Sequence, residues 1–407
     1  MDVCVVGSGG REHAIASVVG RNANVVVTPG NPGIPGSTPA PATEIDADLF
    51  IIGPEVPLVD GLADQLRADG KAVFGPGADG ARIEGSKAWM KDLLASADVP
   101  TAAHGTFDSV EPALAFLDTM QDLFVIKTDG LAAGKGVVVT EDRAEAVDAI
   151  RSYLSGDAFG DAGRTLVIEE GLTGPELSLL AVCDGTRAVP LAPAQDFKRI
   201  GEGDAGPNTG GMGAYSPVPL VDASTVDMVM DRFVGPTLAE LNGRGIDYRG
   251  VLYAGLMMTP TGPKMLEYNC RFGDPEAQVV LPRLTTDLAA LLSEAATGSL
   301  TITPEFTSDA MVTVVCASEG YPTSPRTGDV IEGLAEAADL DGVEVFCAGV
   351  SRNEAGVLTT AGGRVLNVTG RGATIAEARE RAYAGVTHIT WPGRYVRGDI
   401  ALEAAQQ

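Results

Sequence analysis

The stretch Asp2-Val-Cys-Val-Val-Gly-Ser-Gly-Gly10 places a short apolar run directly before a glycine turn. Such a run is typical of a buried parallel strand, and a helix is predicted to follow over residues 11–19. Similar apolar runs ending in Gly or Pro occur at 25–28, 49–53 and 72–75. We therefore predict an α/β fold that begins with an open, doubly wound parallel sheet, where ligands bind at the strand ends.

The pattern changes after residue 85. A hairpin with a long glycine tip is predicted from strands at 124–127 and 136–140, crossed by a helix at 143–154. This combination indicates an α+β module. Further elements are predicted as helices at 86–96, 225–242 and from 374, and as strands at 165–169, 176–183, 251–259, 264–270, 310–317, 344–350 and 364–369.

The chain is strongly acidic. It has 407 residues and a formal net charge of −26, from 55 Asp and Glu against 29 Lys and Arg. Such a field repels polyanions, so we expect neither a nucleic acid nor a membrane as partner. Only seven of the basic residues are lysines, which favours a halophilic protein from a high-salt cytosol, where charge repulsion is screened. An ordinary acidic protein remains the alternative.

The five cysteines are widely spaced and form no CxxC pair. This argues against a disulfide framework and a thiolate zinc site, and favours a reducing compartment. No basic and apolar leader of the signal-peptide type precedes the first strand. We therefore expect a cytoplasmic protein.

The glycine turn at Gly7–Gly10 lies between a strand and a helix, where backbone amides can bind an anion. A dinucleotide site would also need an acidic residue about twenty positions later, and residues 27–31 contain none. The turn therefore favours a phosphate or another polar substrate over NAD. A purely structural turn is the alternative.

A second glycine-rich segment, GLAAGKG (130–136), differs from a P-loop in its glycine spacing and lacks the Ser or Thr that binds magnesium. At a hairpin tip it could form a mobile flap over ATP phosphates, with Lys135 adding charge, or a plain flexible turn. Lys127 lies within the apolar strand before it. Because burying an unpaired lysine is costly, its head should reach solvent or a phosphate.

The most informative run is KMLEYNCRFGDPE (264–276). Side chains alternate in a strand, so Glu267, Asn269 and Arg271 should share one face, with Leu266, Tyr268 and Cys270 on the other. The first face offers two oxygen ligands for Mg²⁺ and a guanidinium for a phosphate. A solvated polar face is the alternative, although two more acids follow the strand.

Five motifs in order resemble the phosphoribosylamine–glycine ligases, an ATP-grasp family of purine synthesis. They are VCVVGSGGREHA (3–14), GPEVPL (53–58), VIKTDGLAAGKG (125–136), PNTGGMGAYSP (207–217) and EYNCRFGDPE (267–276). The resemblance runs almost end to end. It implies a pre-ATP-grasp substrate domain at 1–86, an ATP-grasp domain at 87–299 with a lid lobe at about 104–172, and a mixed α/β C-terminal domain at 300–407.

The activity implied by the resemblance is ligation of glycine to 5-phosphoribosylamine through a glycyl phosphate. The implied partners are therefore small molecules, with ATP as co-substrate and Mg²⁺ or Mn²⁺ as cofactor, and we expect a monomer. Glycine's carboxylate is ionised at neutral pH and needs alignment and charge neutralisation rather than a general base. Competing hypotheses are an ATP-grasp ligase with bicarbonate or formate as acceptor, and a non-catalytic nucleotide-binding sensor.

The resemblance also implies roles for individual residues. Catalytic roles fall on Arg271 and Lys135, and metal binding on Glu267 and Asn269. ATP binding falls on Lys91, Lys127, Gly130, Gly134, Gly136, Glu169, Glu170, Leu172 and Glu176. Substrate binding falls on Gly9, Gly10, Glu55, Asp196, Lys198, Asn208, Thr209, Gly210, Gly211, Met212, Asp274 and Glu276.

The sequence departs from the family pattern in two places. The connection between Gly33 and Leu49 is short, and its prolines at 35, 39 and 41 prevent a helix through that region. We expect the first sheet to survive with a loop crossover. The strand at 251–259 also lacks the additional carboxylate ligand found in many ATP-grasp enzymes.

Overall fold

A computed structural model describes residues 1–120, 123–130, 136–155 and 164–407 of the chain. Its first part is the predicted parallel sheet, with strand order β2-β1-β3-β4. The strands are β1 (Asp2–Gly7), β2 (Asn24–Pro29), β3 (Leu49–Ile52) and β4 (Val73–Phe74). The helices are α1 (Gly10–Val19), α2 (Glu55–Val59), α3 (Leu62–Ala68) and α4 (Ala78–Gly85).

The short connection into β3 crosses as a loop with one 3-10 turn, Ala42–Glu44. Strands β1 and β3 still pair in parallel, with Val3 opposite Leu49. The prediction of a surviving sheet with a loop crossover is therefore confirmed. Buried valine and isoleucine side chains on both faces of these strands explain why they read as continuous apolar runs.

The next part is a four-stranded antiparallel sheet with two helices on it, in the order β5-β8-β6-β7. Helix α5 (Lys87–Ser96) leads into it, and its own elements are β5 (His104–Phe107), α6 (Val110–Leu117), β6 (Phe124–Thr128), β7 (Val137–Thr140), α7 (Arg143–Leu154) and β8 (Leu166–Glu170). This lobe has a separate core that includes Leu117, Ile126 and Ile150. A lobe with its own core can move as a unit.

The following strands divide between several sheets. They are β9 (Glu176–Asp184), β10 (Ala188–Pro190), β11 (Gln195–Asp196), β12 (Arg199–Gly201), β13 (Ala205–Asn208), β14 (Gly213–Ser216), β15 (Arg249–Thr259) and β16 (Gly262–Asn269). Strands β10, β9, β15 and β16 form an antiparallel sheet that carries Glu176, Glu267 and Asn269 of the candidate site. Strands β12 and β13 pair separately.

The helix predicted at 225–242 is interrupted. It consists of α8 (Ala223–Val229), a π-helical turn (Met230–Val234) and α9 (Gly235–Gly243). Pro236 lies at the start of α9 and has no N–H to donate to the preceding turn. The wider turn accommodates this proline, so the predicted helix is confirmed with one π-helical turn at its centre.

The C-terminal part forms a sheet in the order β11-β14-β17-β21-β18, so two strands from before residue 300 complete it. Its remaining elements are α10 (Ala277–Val280), α11 (Leu288–Thr297), β17 (Ala310–Ala317), α12 (Leu334–Ala338), β18 (Val343–Cys347), β19 (Val350–Arg352), β20 (Leu358–Thr360), β21 (Arg364–Gly372) and α13 (Ile375–His388). All five cysteines are free and buried. Within the described ranges, no helix combines the length and apolarity needed to cross a bilayer.

Candidate active site

A cavity of about 610 Å³ lies beside the sheet of β10, β9, β15 and β16. The lid lobe, the first domain and the C-terminal sheet complete its wall. The structure brings most predicted site residues to its wall. These are Glu55, Lys127, Glu169, Glu170, Leu172, Glu176, Asp196, Lys198, Asn208, Thr209, Gly210, Glu267, Asn269, Arg271, Asp274 and Glu276.

Strand β16 supplies the central row of polar groups. Glu267, Asn269 and Arg271 all line the cavity, as alternation predicted. Leu266 lines it too, which corrects the prediction that Leu266 faces away. Gly255 pairs with Glu267 and Leu256 with Met265, so Leu266 is the extra residue of a β-bulge. A bulge breaks strict alternation and turns two successive side chains toward one face.

Glu267 and Asn269 supply a carboxylate and an amide oxygen side by side along the strand. These are hard oxygen donors, which suit Mg²⁺ or Mn²⁺. Burial alone would raise the pKa of Glu267, but the ammonium groups of Lys198 and Lys127 outweigh it and hold the pKa below its usual value. The carboxylate therefore remains ionised, and the donor set fits a divalent cation.

Lys127 and Lys91 share one buried carboxylate. Glu169, only 2% exposed, lies 3.0 Å from the Lys127 ammonium and 3.1 Å from that of Lys91. Lys127 also lines the cavity. Its buried ammonium group is therefore paired with Glu169 and can still contact a molecule bound in the cavity. Lys91 is 1% exposed and lies behind Glu169, where it also donates to Thr101 at 2.7 Å. The Glu169 carboxylate thus holds both ammonium groups in place.

The pKa values of this cluster follow from burial and pairing. Burial lowers the pKa of Lys91 to about 8, although Glu169 opposes that shift. Burial raises the pKa of Glu169, but the two lysines outweigh it and the net change is downward. The Glu169 side chain is thus committed to the two lysines.

Lys198 is surrounded by acids. Its ammonium lies 2.6 Å from Glu176 and 3.8 Å from Glu267. Burial lowers the pKa of Lys198, but Glu176, Asp196 and Glu267 outweigh it and raise the pKa well above its usual value. Burial also raises the pKa of Asp196 well above normal. Lys198 therefore stays charged between the carboxylates of Glu176 and Glu267.

Arg271 is held by two acids from the first domain. Its Nη2 donates to Glu84 at 2.8 Å, and its Nε lies 3.4 Å from Glu55. Burial lowers the pKa of Arg271, but these carboxylates outweigh it and raise the pKa. The guanidinium is therefore a permanent charge at the cavity wall.

Some predicted residues lie beside the cavity wall rather than on it. Gly130 accepts a hydrogen bond from Lys87, and Gly136 accepts one from Thr128, so both brace the root of the hairpin. The other predicted site residues that do not line the cavity are Lys91, described above, and Gly9, Gly10, Gly211 and Met212. Met212 is fully buried. Gly134 and Lys135 lie outside the described residues.

The glycine turn after β1 already holds an anion from the chain itself. Glu12 accepts the Gly9 amide at 2.6 Å and pairs with Arg11, also at 2.6 Å. A side chain at Gly7 would overlap Glu12, with a Cβ only 2.4 Å from its Cγ. The Gly9 amide is thus already bonded to the Glu12 carboxylate. At this amide the structure favours a purely structural turn over an anion-binding site.

Three residues on the wall had no strong signal in the sequence. Arg11 follows the glycine turn, and Tyr253, on the strand that lacks an acid, donates a hydrogen bond to Glu276 at 2.7 Å. Arg364 opens β21 and pairs with Asp274 across 90 positions of sequence. Of these three residues, only Arg11 lies within a motif noted in the sequence, VCVVGSGGREHA (3–14). The sequence could therefore have indicated Arg11 but not the other two.

Comparison with known proteins places this geometry in a family. Three sequence models of phosphoribosylglycinamide synthetase match in order: the N domain at residues 1–84, the ATP-grasp (A) domain at 85–277 and the C domain at 311–403. The chain belongs to this family. Phosphoribosylglycinamide synthetase and phosphoribosylamine–glycine ligase are two names for the same ligase, so the resemblance in the sequence is confirmed.

Relatives match over the whole length. The chain is 46% identical to a phosphoribosylamine–glycine ligase of Mesorhizobium japonicum over 99% of this chain and 98% of the relative. It is 47% identical to one from Caulobacter vibrioides over 100% and 99%. Among solved structures, the ligase from Thermotoga maritima has a TM-score of 0.88 and 33% identity, covering 98% of this chain and 100% of that one.

The fold alone is shared more widely. An N5-carboxyaminoimidazole ribonucleotide synthetase from Thermotoga maritima matches with a TM-score of 0.64 at 14% identity, covering 96% of this chain and 99% of that one. At such identity the likeness concerns architecture only. The three-part α/β fold with an ATP-grasp centre is thus confirmed for this member of the phosphoribosylglycinamide synthetases.

Proposed function

We propose that this chain ligates glycine to 5-phosphoribosylamine, converting ATP to ADP and phosphate and giving glycinamide ribonucleotide in purine synthesis. Full-length membership of the ligase family supports the proposal. The observation that carries it is the cavity itself, where the cations Lys127 and Arg271 face the oxygen donors Glu267 and Asn269. These groups suit a triphosphate with its metal beside a carboxylate acceptor.

In the first step, an oxygen of glycine's carboxylate attacks the γ-phosphorus of ATP, and the bond to the β,γ-bridging oxygen breaks to release ADP. The nucleophile is already ionised at neutral pH, so alignment and charge neutralisation are the main requirements. Lys127 and Arg271 are placed to offset the negative charge on the phosphoryl oxygens. The product is glycyl phosphate.

In the second step, the amine of phosphoribosylamine attacks the acyl carbon of glycyl phosphate, phosphate leaves, and the amine loses a proton as the amide forms. Water would hydrolyse the acyl phosphate, so the cavity must close. The lid lobe has its own core, and its strands β6 and β7 contribute Lys127 and Val137 to the wall. Closure of that lobe is therefore the proposed means of excluding water.

Glu267 and Asn269 would hold the divalent cation, Mg²⁺ or Mn²⁺. When bound, it would neutralise phosphate charge and orient the phosphates. No second acid lies on β15, where the bulge pairs Gly255 with Glu267. Glu267 therefore carries the protein's only carboxylate contribution to the metal site proposed here.

The remaining roles are proposed by position. We place ATP against Lys127, Glu170, Leu172 and Glu176, with Glu169 holding Lys127 and Lys91. We also propose that Gly130, Gly134, Lys135 and Gly136 contact the phosphates. We place the acceptors against Glu55, Asp196, Lys198, Asp274, Glu276, the loop Asn208, Thr209, Gly210, Gly211 and Met212, and the turn Gly9 and Gly10. We also propose the bounds 1–86, 87–299 and 300–407 for the three domains.

The proposed function is tested by measuring ADP release in about molar KCl, a concentration that screens the chain's charge. Each of glycine, phosphoribosylamine and Mg²⁺ is omitted in turn. We expect turnover with the complete set, glycinamide ribonucleotide by mass spectrometry, and background rates after each omission. Bicarbonate or formate in place of glycine should give no turnover. Tight Mg-ATP binding without ADP release from the complete set would instead indicate a nucleotide sensor.

The acidic, lysine-poor composition supports a further part of the proposal, a monomeric enzyme working in a high-salt cytoplasm. Screening of like charges should stabilise such a chain. We expect the melting temperature to rise steadily between 0.1 M and 2 M KCl, concentrations chosen to span Debye lengths from about 10 Å to less than 3 Å. A melting temperature that falls over this range would contradict the halophilic origin.

A further inference from the structure

Glu84 is a buried carboxylate near the end of α4 that does not line the cavity but contacts a residue that does. Its side chain is only 9% exposed. One oxygen accepts Arg271 Nη2 at 2.8 Å, and the other accepts the Cys270 amide at 2.9 Å. Glu84 thus binds two consecutive residues of another domain.

Those two residues lie immediately after the end of β16. The ladder with β15 reaches Asn269 opposite Tyr253 and goes no further. The Cys270 amide therefore has no strand partner, and the Glu84 carboxylate takes the place of one. Because a buried amide must be satisfied, this contact fixes the backbone from which Arg271 projects.

The other contacts of the Arg271 guanidinium are longer. Glu55 lies 3.4 Å from Nε, Phe272 O lies 3.2 Å from Nη1, and Asn269 Oδ1 lies 3.5 Å from Nη2. Glu84 makes the shortest of these contacts, with burial raising the pKa of its carboxyl group and Arg271 opposing that rise. A charge-assisted bond at this distance has greater directional strength than the longer ones.

We propose that Glu84 is the positioning residue for Arg271: it ends strand β16 at Cys270 and aims the guanidinium at the phosphoryl group being transferred. This inference rests on the proposed function. It also gives the first domain a part in phosphoryl transfer, because α4 belongs to that domain and Arg271 to the next.

The test is a double-mutant cycle with E84Q and R271K. Glutamine keeps the shape of Glu84 and loses its charge, while lysine keeps the charge of Arg271 and loses its planar fork. We expect E84Q to lower kcat on the order of 10- to 100-fold, with the KM for ATP changed less than about threefold. In the R271K background, the same change should cost less than about threefold.

The matched control is D184N. Asp184 is also a buried carboxylate that accepts backbone amides, those of Thr186, Arg187 and Leu300, but it lies at the far end of β9. We expect D184N to lower the melting temperature at least as much as E84Q, with kcat unchanged. Should E84Q fail to fold, E84D serves instead, because aspartate is too short to hold Cys270 and Arg271 together.

A crystal structure of the E84Q variant supplies a readout independent of activity. We expect the Arg271 guanidinium to move by about 1 Å or more. Kinetic penalties that multiply in the double variant, or a guanidinium that stays in place, would overturn the inference. A wild-type protein without ADP release would overturn the proposed function, while the position of Arg271 in the variant would still decide the role of Glu84.

Discussion

Arg364 and Asp274 form an ion pair of 3.0 Å between the C-terminal sheet and the segment that follows β16. The same guanidinium donates to the backbone oxygens of Gly210 at 2.5 Å and of Asp274 at 2.7 Å. Arg364 lowers the pKa of Asp274 against the opposing effect of burial. One arginine therefore joins two loops that line the proposed acceptor side of the cavity.

We expect R364K to lower kcat/KM for phosphoribosylamine on the order of 10- to 100-fold, with the KM for ATP within about threefold of wild type, because a lysine cannot hold both carbonyls and the carboxylate. Steady-state kinetics with each substrate varied measure this. The matched control is R371K on the same strand, whose pair with Asp309 is more exposed and is worth less than about 1 kcal/mol. Equal losses in the two variants would contradict a specific role for Arg364.

For E169Q we expect a loss of both stability and ATP affinity. The substitution leaves Lys91 and Lys127 buried without their shared carboxylate, and breaking a buried ion pair typically costs about 3–5 kcal/mol. Thermal melting and nucleotide binding measure the two effects. The neighbouring E170Q variant is the control for the melting temperature, since Glu170 pairs with the partly exposed Lys264. A melting temperature equal to that of wild type would show that Glu169 does not hold the lysines.

For E267A we expect ADP release to fall to background at Mg²⁺ concentrations that saturate the wild type, with little change in melting temperature at high salt. Glu267 faces the cavity, and Lys198 keeps its closer partner, Glu176, after the substitution. Titration of Mg²⁺ in the ADP-release assay measures the shift, and EDTA should abolish wild-type turnover. Near-normal turnover in the variant would remove Glu267 from the site.

His13 should make stability depend on pH. Its Nδ1 accepts the Cys347 amide at 2.8 Å, and burial lowers its pKa to about 4 from an ordinary value near 6.5. The unfolded chain therefore binds a proton between these values that the folded chain does not. Stability should fall as the pH drops from about 6.5 to 4, by up to about 3 kcal/mol from this residue.

The control is H13N, because asparagine can accept the same amide and does not titrate. Melting temperatures of both proteins between pH 4 and pH 7 measure the difference. We expect the wild-type curve to fall more steeply than that of H13N over this interval. Parallel curves would show that His13 is not buried in its neutral form.

Much of the fold could be predicted from local pattern. The helix predicted at 143–154 matches α7, and the strands predicted at 124–127 and 136–140 differ from β6 and β7 by one residue at most. The prediction for β16 failed where a single residue breaks its period. The extra residue Leu266 breaks the alternation of that strand.

The amino-acid sequence by itself determined the order of strands and helices, the family, and the row of Glu267, Asn269 and Arg271, because each depends on residues close together along the chain. Only the tertiary structure decided that Glu169 pairs with two lysines, that Glu84 holds Arg271 and that Arg364 reaches Asp274. These partners are between 42 and 187 positions apart. No local period connects such residues, and their pairing follows from how the domains pack and which charges that packing buries.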